Sequence, residues 1–201
     1  MSLSLKNITK SFDEKRLFDN FSYNFEEKGI YYLVGESGSG KTTLLRIIAG
    51  LDKNYSGEVD GGGIGNVSYC FQEYRLFPHL SAIDNIVAAL CDEPNCELRK
   101  LAEELLLKLK FSKNDFSLKP SELSGGMKQR VSFARAVLKS TPILLLDEFT
   151  KEVDPELSEI MHDIVLSESK TRLVLIVSHK ESEYSKANVN IINLTPNSAF
   201  E

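Results

Sequence analysis

The sequence contains no run approaching the roughly 18–20 apolar residues that a membrane-crossing helix requires, so any membrane role is expected to run through a partner. A secretory leader is not expected in Met1-Ser2-Leu3-Ser4-Leu5-Lys6, which has neither a long apolar core nor a small-residue cleavage site. Basic charge is not in excess. With 24 Lys and Arg against 29 Asp and Glu the net charge is −5, leaving no overall positive field for nucleic acid or anionic lipid. Cysteine is scarce. Cys70, Cys91 and Cys96 are odd in number, fit no zinc spacing and read as reduced thiols of a cytoplasmic protein. There is no repeat, linker or low-complexity tract. What remains is an ordinary globular composition over 201 residues, enough for one domain with a sizeable core.

Hydrophobic patterning divides the chain into three stretches. The first third predicts strands: residues 3–8 and 21–25 alternate, and Ile30–Val34 is the continuous apolar run of a buried strand. A glycine-rich loop and a helix over 42–49 follow, closed by Gly50. The glycines at 61–63 and 65 have no lysine or helix behind them and read as a loop before a strand over 67–71. The middle third is helical, with a capped start at Ser81, an amphipathic helix over 97–109 and another helix beginning near Ser124. The last third alternates buried strands, 143–146, 173–177 and 189–194, with a helix over 155–169. Buried strands alternating with helices imply an α/β fold with a parallel sheet, and the helical middle reads as an insertion into it.

The strongest chemical signal is Gly35-Glu36-Ser37-Gly38-Ser39-Gly40-Lys41-Thr42, which fits the phosphate-loop pattern G-x-x-x-x-G-K-[ST] between a strand and a helix. Glycines let successive N–H groups point into one hollow, and the helix start adds its positive end. Lys41 is expected at the β- and γ-phosphates, and Thr42 at Mg²⁺. Such a loop needs a carboxylate at the edge of a neighbouring strand. Ile143–Leu146 followed by Asp147 and Glu148 supplies one for the metal and, one residue on, a general base for the attacking water. A third signal, Ser124-Gly125-Gly126, opens a helix with uncovered N–H groups, a second anion-binding end. Lys128, Gln129 and Arg130 read as a solvated face or partner contact. His79 and His162 read as structural.

Taken together these pieces resemble the nucleotide-binding subunit of ATP-binding-cassette (ABC) transporters, in family order and over essentially the whole chain. Leu123–Met127 is similar to the family's signature, with Met in place of the usual Gln. Phe71-Gln72-Glu73 resembles its Q-loop, Ser178-His179 its switch histidine, and Thr150–Asp154 its D-loop. Phe12 stands where the family places an aromatic residue on adenine. The resemblance implies a P-loop NTPase core of about residues 1–77 and 135–201, an N-terminal antiparallel β subdomain and an inserted helical subdomain of about 78–134. It implies ATP contacts from Phe12, residues 35–43 including Thr43, Ser124, Gly125, Gly126 and Asp154. It implies Mg²⁺ at Thr42, Gln72 and Asp147, and catalysis by Glu148, His179 and Gln72.

It also implies a head-to-tail pair of cassettes, each ATP held between one phosphate loop and the other signature, and a permease that keeps the subunit at the inner face of the membrane. No nucleic-acid partner is expected. Phe71–Ser81 and Leu123–Val131 resemble the corresponding stretches of nitrate, sulfonate and taurine importers. An exporter motor for lipoproteins or peptides, a non-transport cassette and a binding-only cassette are the competing readings. Two departures stand out: Phe149 replaces the family's Pro after the base, and Lys151-Glu152-Val153 replaces Ser-Ala-Leu in the D-loop. The stretch between Val59 and Val67 is also short for the family.

Overall fold

A computed structural model describes residues 2–12, 15–90, 96–178 and 189–194. His179 and Cys91 lie outside the described residues. The chain divides into two compact units. One comprises residues 1–69, 141–147 and 169–201, the other residues 70–140 and 148–168.

The first unit holds two sheets. Strands β1 (Ser4–Phe12), β2 (Lys15–Asn24) and β4 (Ser56–Asp60) form an antiparallel sheet in the order β2-β1-β4. Strands β3 (Gly29–Val34), β5 (Val67–Cys70), β6 (Ile143–Asp147), β7 (Leu173–Val177) and β8 (Asn190–Asn193) form the second, in the order β5-β6-β7-β3-β8. Strand β3 pairs in parallel with β7 and β8, and β6 pairs in parallel with β7. Every residue of β6 and β7 is buried, which is why their sequences, ILLLD and LVLIV, run on without alternating.

Helix α1 (Lys41–Ile48) packs Leu44, Leu45, Ile47 and Ile48 into the same core as Phe18 and Phe21 of β2 and Leu145 and Leu175 of the parallel sheet. This core fixes both ends of the phosphate loop, because β3 enters it and α1 leaves it within one apolar cluster.

The second unit is helical. It contains helices α2 (Ala82–Val87), α3 (Cys96–Lys108), α4 (Gly125–Leu138) and α5 (Pro155–Glu168), with a short 3-10 turn over Lys113–Ser117 between α3 and α4. The expected insertion, residues 78–134, lies within this unit. Its loops are shaped by side chains that stand in for backbone. The wholly buried Asn85 donates from Nδ2 to the carbonyls of Phe77, Leu80 and Ser81 at 3.0–3.1 Å, and its Oδ1 accepts from Phe77 N at 2.7 Å. Arg135 donates to the carbonyls of Tyr74 (3.0 Å) and Arg75 (2.8 Å). Phe149, the residue that departs from the family pattern, is fully buried. It stacks on Phe133 with ring centres 5.5 Å apart and meets the His162 ring at 5.1 Å, so an aromatic core replaces the rigidity a proline would bring. Among the described residues, no helix is long and apolar enough to cross a membrane.

The run Lys128-Gln129-Arg130 corrects an expectation. It is not a solvated face: Gln129 is 1% exposed and donates to Phe149 O at 3.1 Å, and Arg130 donates to Leu109 O at 2.8 Å. Buried carbonyls left without helical partners required these donors, and that demand overrides the polarity of the run.

Candidate functional site

In the first unit the loop over residues 35–40 joins β3 to α1. Gly40 precedes the helix at φ 98°, and a methyl group there would stand 2.8 Å from the Phe18 ring, so this position admits no side chain. No side chain caps α1 and no acid lies in its first turn, so the first N–H groups keep their positive field. Lys41 is buried, and its Nζ donates to the carbonyls of Gly35 and Glu36, both at 2.8 Å. The loop is thereby curled around an ammonium group. Ser39 Oγ is buried with no hydrogen-bond partner among the described residues, while Glu36, Ser37 and Gly38 are exposed and Thr42 and Thr43 half-buried.

Asp147 ends β6 at 1% exposure, and its Oδ2 accepts from the Tyr69 hydroxyl at 3.3 Å. Tyr69 is a partner that sequence reasoning missed. Only its place in β5, the strand beside β6, could have suggested it. An ammonium, a bare helix start, a hydroxyl without a partner and a sheet-edge carboxylate are the donor set that a nucleotide triphosphate with Mg²⁺ calls for. Phe12, at the end of β1, is 51% exposed and carries Lys10 Nζ 4.7 Å from its ring centre. Lys10 is itself held by Asp52 (2.8 Å) and the Asn54 carbonyl (2.6 Å), so the ring has a fixed cation on one side.

In the second unit Glu148 takes a left-handed conformation, φ 49°, on the way from β6 toward α5. Gln72 Nε2 donates to Glu148 Oε2 at 3.3 Å, and Lys151 Nζ lies 3.7 Å from the same oxygen. Gln72 and Glu148, both expected in catalysis, are thus in contact, and Lys151 is an addition that sequence reasoning did not foresee. Ser124 caps α4, its Oγ accepting from Met127 N at 3.2 Å, and Gly125 and Gly126 follow as the first helical residues.

Glu152 reaches this helix start. It is left-handed, φ 64°. Its backbone oxygen would stand 2.5 Å from a methyl group on Gly126, and its carboxylate Oε2 occupies the place of a methyl group on Gly125. The Tyr74 hydroxyl donates to Oε2 at 2.7 Å. Burial and the neighbouring carboxylate push the Tyr74 phenol up to about 12. Asp154, expected at the nucleotide, caps α5: its Oδ1 accepts from Leu157 N at 2.9 Å, and this bond lowers its carboxyl below the usual range.

Comparison with known proteins agrees with this reading. The family model for the ABC transporter matches residues 18–151. The chain is 33% identical to the spermidine/putrescine import ATP-binding protein PotA of Pasteurella multocida, over 96% of its own length and 55% of that protein. It is 36% identical to the PotA protein of Thermotoga maritima, over 90% of its own length and 52% of that protein. It therefore spans about half the length of the curated relatives it matches. These relatives carry polyamine names, and the nitrate, sulfonate and taurine likeness is confined to two short stretches.

Among solved structures, the dimeric post-hydrolysis state of the ATP-binding cassette MJ0796 bound to ADP and Pi matches with a TM-score of 0.82 and 29% identity. That match covers 96% of this chain and 94% of the other. A dimeric structure of MJ0796, a bacterial ABC transporter cassette, matches at 0.83 and 30% over the same shares. The phosphate loop at the start of α1, the acid at the end of β6 and the two glycines at the start of α4 thus lie in a cassette fold, and the chain belongs to the ABC transporter family.

Proposed function

We propose that this chain binds and hydrolyses ATP and drives a membrane importer through a partner permease. The observation that carries the proposal is Lys41, buried at the uncapped start of α1 with its ammonium bracketed by two loop carbonyls. Around it, Gly35, Glu36, Ser37, Gly38, Ser39, Gly40, Thr42 and Thr43 bind the phosphates through backbone N–H groups and hydroxyls, and Phe12 carries the adenine. Thr42, Asp147 and Gln72 would hold Mg²⁺, which would supply neutralisation of the phosphate charge. Glu148 orients and deprotonates the attacking water, Gln72 fixes the carboxylate, and His179 takes the switch role that the family resemblance assigns to it.

A second cassette meets the first head to tail, so that Ser124, Gly125 and Gly126 of one close over the nucleotide of the other, with Asp154 beside them. Exclusion of water by that closure strengthens each electrostatic contact. Both structural neighbours are dimeric, which supports the pairing. The import direction follows the names of the relatives. Their polyamine cargo and the local likeness to nitrate, sulfonate and taurine importers name different substrates, and the cassette's own residues favour neither. The helical insertion, about residues 78–134, carries the signature and receives the permease at the cytoplasmic face of the membrane.

The test is Glu148→Gln. ATP binding is expected to persist while steady-state turnover falls by roughly 10²–10⁴-fold, the usual contribution of a general base. Turnover near that of the parent chain would remove Glu148 from the role.

A further inference from the structure

Glu148 and Lys151 are the outer residues of one tight turn, closed by a bond from Lys151 N to Glu148 O at 3.0 Å. A turn of this kind brings its outer residues side by side, and Lys151 Nζ stands 3.7 Å from Glu148 Oε2. The backbone between and beyond them is pinned. The inner residues, Phe149 and Thr150, are buried. The Phe149 ring stacks on Phe133, and its carbonyl accepts from Gln129 Nε2 at 3.1 Å. After the turn, Glu152 accepts from the Tyr74 hydroxyl at 2.7 Å and Asp154 caps α5. What Lys151 has left to order is its own side chain.

The side chains of this pair are 51% exposed for Lys151 and 21% for Glu148, and a pair so open to water adds little to the stability of a fold. Its place is what singles it out. Glu148 Oε2 also accepts from Gln72 Nε2 at 3.3 Å, so a neutral amide and an ammonium converge on one oxygen of the residue read above as the general base. The last torsion of a glutamate is broad, and a second donor on the same oxygen narrows it. A general base works only where its oxygen reaches the proton it removes, so the rotation of the carboxylate matters to the rate.

We propose that Lys151 is a positioning residue for ATP hydrolysis: together with Gln72 it holds the Glu148 carboxylate in the orientation that takes a proton from the attacking water. The inference rests on the reading of Glu148 as the base, and deepens it. The proton passes from water to the carboxylate as the water oxygen attacks the γ-phosphorus and the bond to ADP breaks; Lys151 neither gains nor loses a proton in that step. The lysine that stands in place of the family's serine thereby acquires a task inside its own subunit.

The test is a cycle of four full-length chains: the parent, Lys151→Met, Glu148→Gln and the double variant. Each is assayed for ATP turnover, nucleotide affinity and urea unfolding. Lys151→Met keeps the apolar stem and removes the charge. It should lower kcat by about 3–10-fold while ATP affinity and the unfolding midpoint stay at the parent's values, and Lys151→Arg should bring kcat back to within about twofold. Where the carboxylate is already gone the lysine has nothing to hold, so the double variant should turn over ATP at the rate of Glu148→Gln. A kcat in Lys151→Met equal to or above the parent's overturns the proposal. So does an equal loss with and without the Glu148 carboxylate, or a loss that follows a lowered unfolding midpoint and is not restored by arginine. The two readings fail separately. Parental turnover in Glu148→Gln removes the base and the role of Lys151 with it, whereas a slow Glu148→Gln beside an unimpaired Lys151→Met leaves the base standing and removes Lys151 alone.

Discussion

Helix α1 begins on a glycine with no side-chain cap, followed at once by a buried lysine. Helix α4 begins on a capping serine, followed by two glycines and an acid borrowed from a distant loop. Both ends offer uncovered N–H groups, yet their surroundings differ. The first is positive twice over, from the helix and from the Lys41 ammonium held by Gly35 and Glu36. The second carries a side-chain cap, and the Glu152 carboxylate, held by Tyr74, packs where a side chain on Gly125 would stand. The contrast teaches that two glycine-bearing helix starts can be finished in different ways, one around a buried cation and the other around a side-chain cap.

Five further substitutions probe that contrast. The largest effect is expected at Lys41. Lys41→Ala removes the ammonium that the loop is wrapped around and should lower kcat/KM for ATP by about 10²–10³-fold, the loss found when one preorganised donor is deleted. Lys128→Ala, in the first turn of α4, should leave ATPase activity within about twofold. Equal losses in the two variants would show that both ends rely on a lysine.

Next is Gly126→Ala, which drives a methyl group to 2.5 Å from the Glu152 backbone oxygen and should destabilise the fold by about 1–3 kcal/mol in urea unfolding. Gly125→Ala meets the ends of two side chains, the Glu152 carboxylate and, at 3.3 Å, the Tyr74 hydroxyl, and should cost less. The reverse order would mean that the loop, and not the carboxylate, is the mobile part. The smallest effect is expected at Ser124→Ala, a loss of about 1 kcal/mol for the missing cap bond to Met127 N, measured the same way. A neutral result would make α4 as independent of side-chain capping as α1.

The phosphate loop, Asp147 and Glu148 were legible because each depends on local spacing: a run of apolar residues, then polar chemistry at the edge of a sheet. The parallel sheet was legible for the same reason. Strand β4 was not, since its residues are mostly exposed and contain no apolar pattern to read. Strands β1 and β2 run longer than their alternating segments, extended by pairing across their hairpin, with register shifts that break the period of two. Glu152 was visible only as a departure from the family. Its position depends on a left-handed turn and on a tyrosine 78 residues away, neither of which a linear pattern encodes. Gln129 was misread because a polar residue between two cations looks solvated, and only the buried carbonyl of Phe149 explains it. Spacing revealed which groups carry charge; it could not reveal which of them are already engaged.

The amide of Asn85 has a consequence for entropy. All four of its bonds go to the segment of residues 77–81, which has no regular secondary structure and exposes Phe77. A loop of that kind ordinarily loses conformational freedom when something docks on it, and that loss subtracts from affinity. Here the freedom is already gone, removed during folding by one buried side chain. Contacts made by the exposed face of Phe77 therefore lose less to backbone ordering, because the ring is carried on a backbone already fixed.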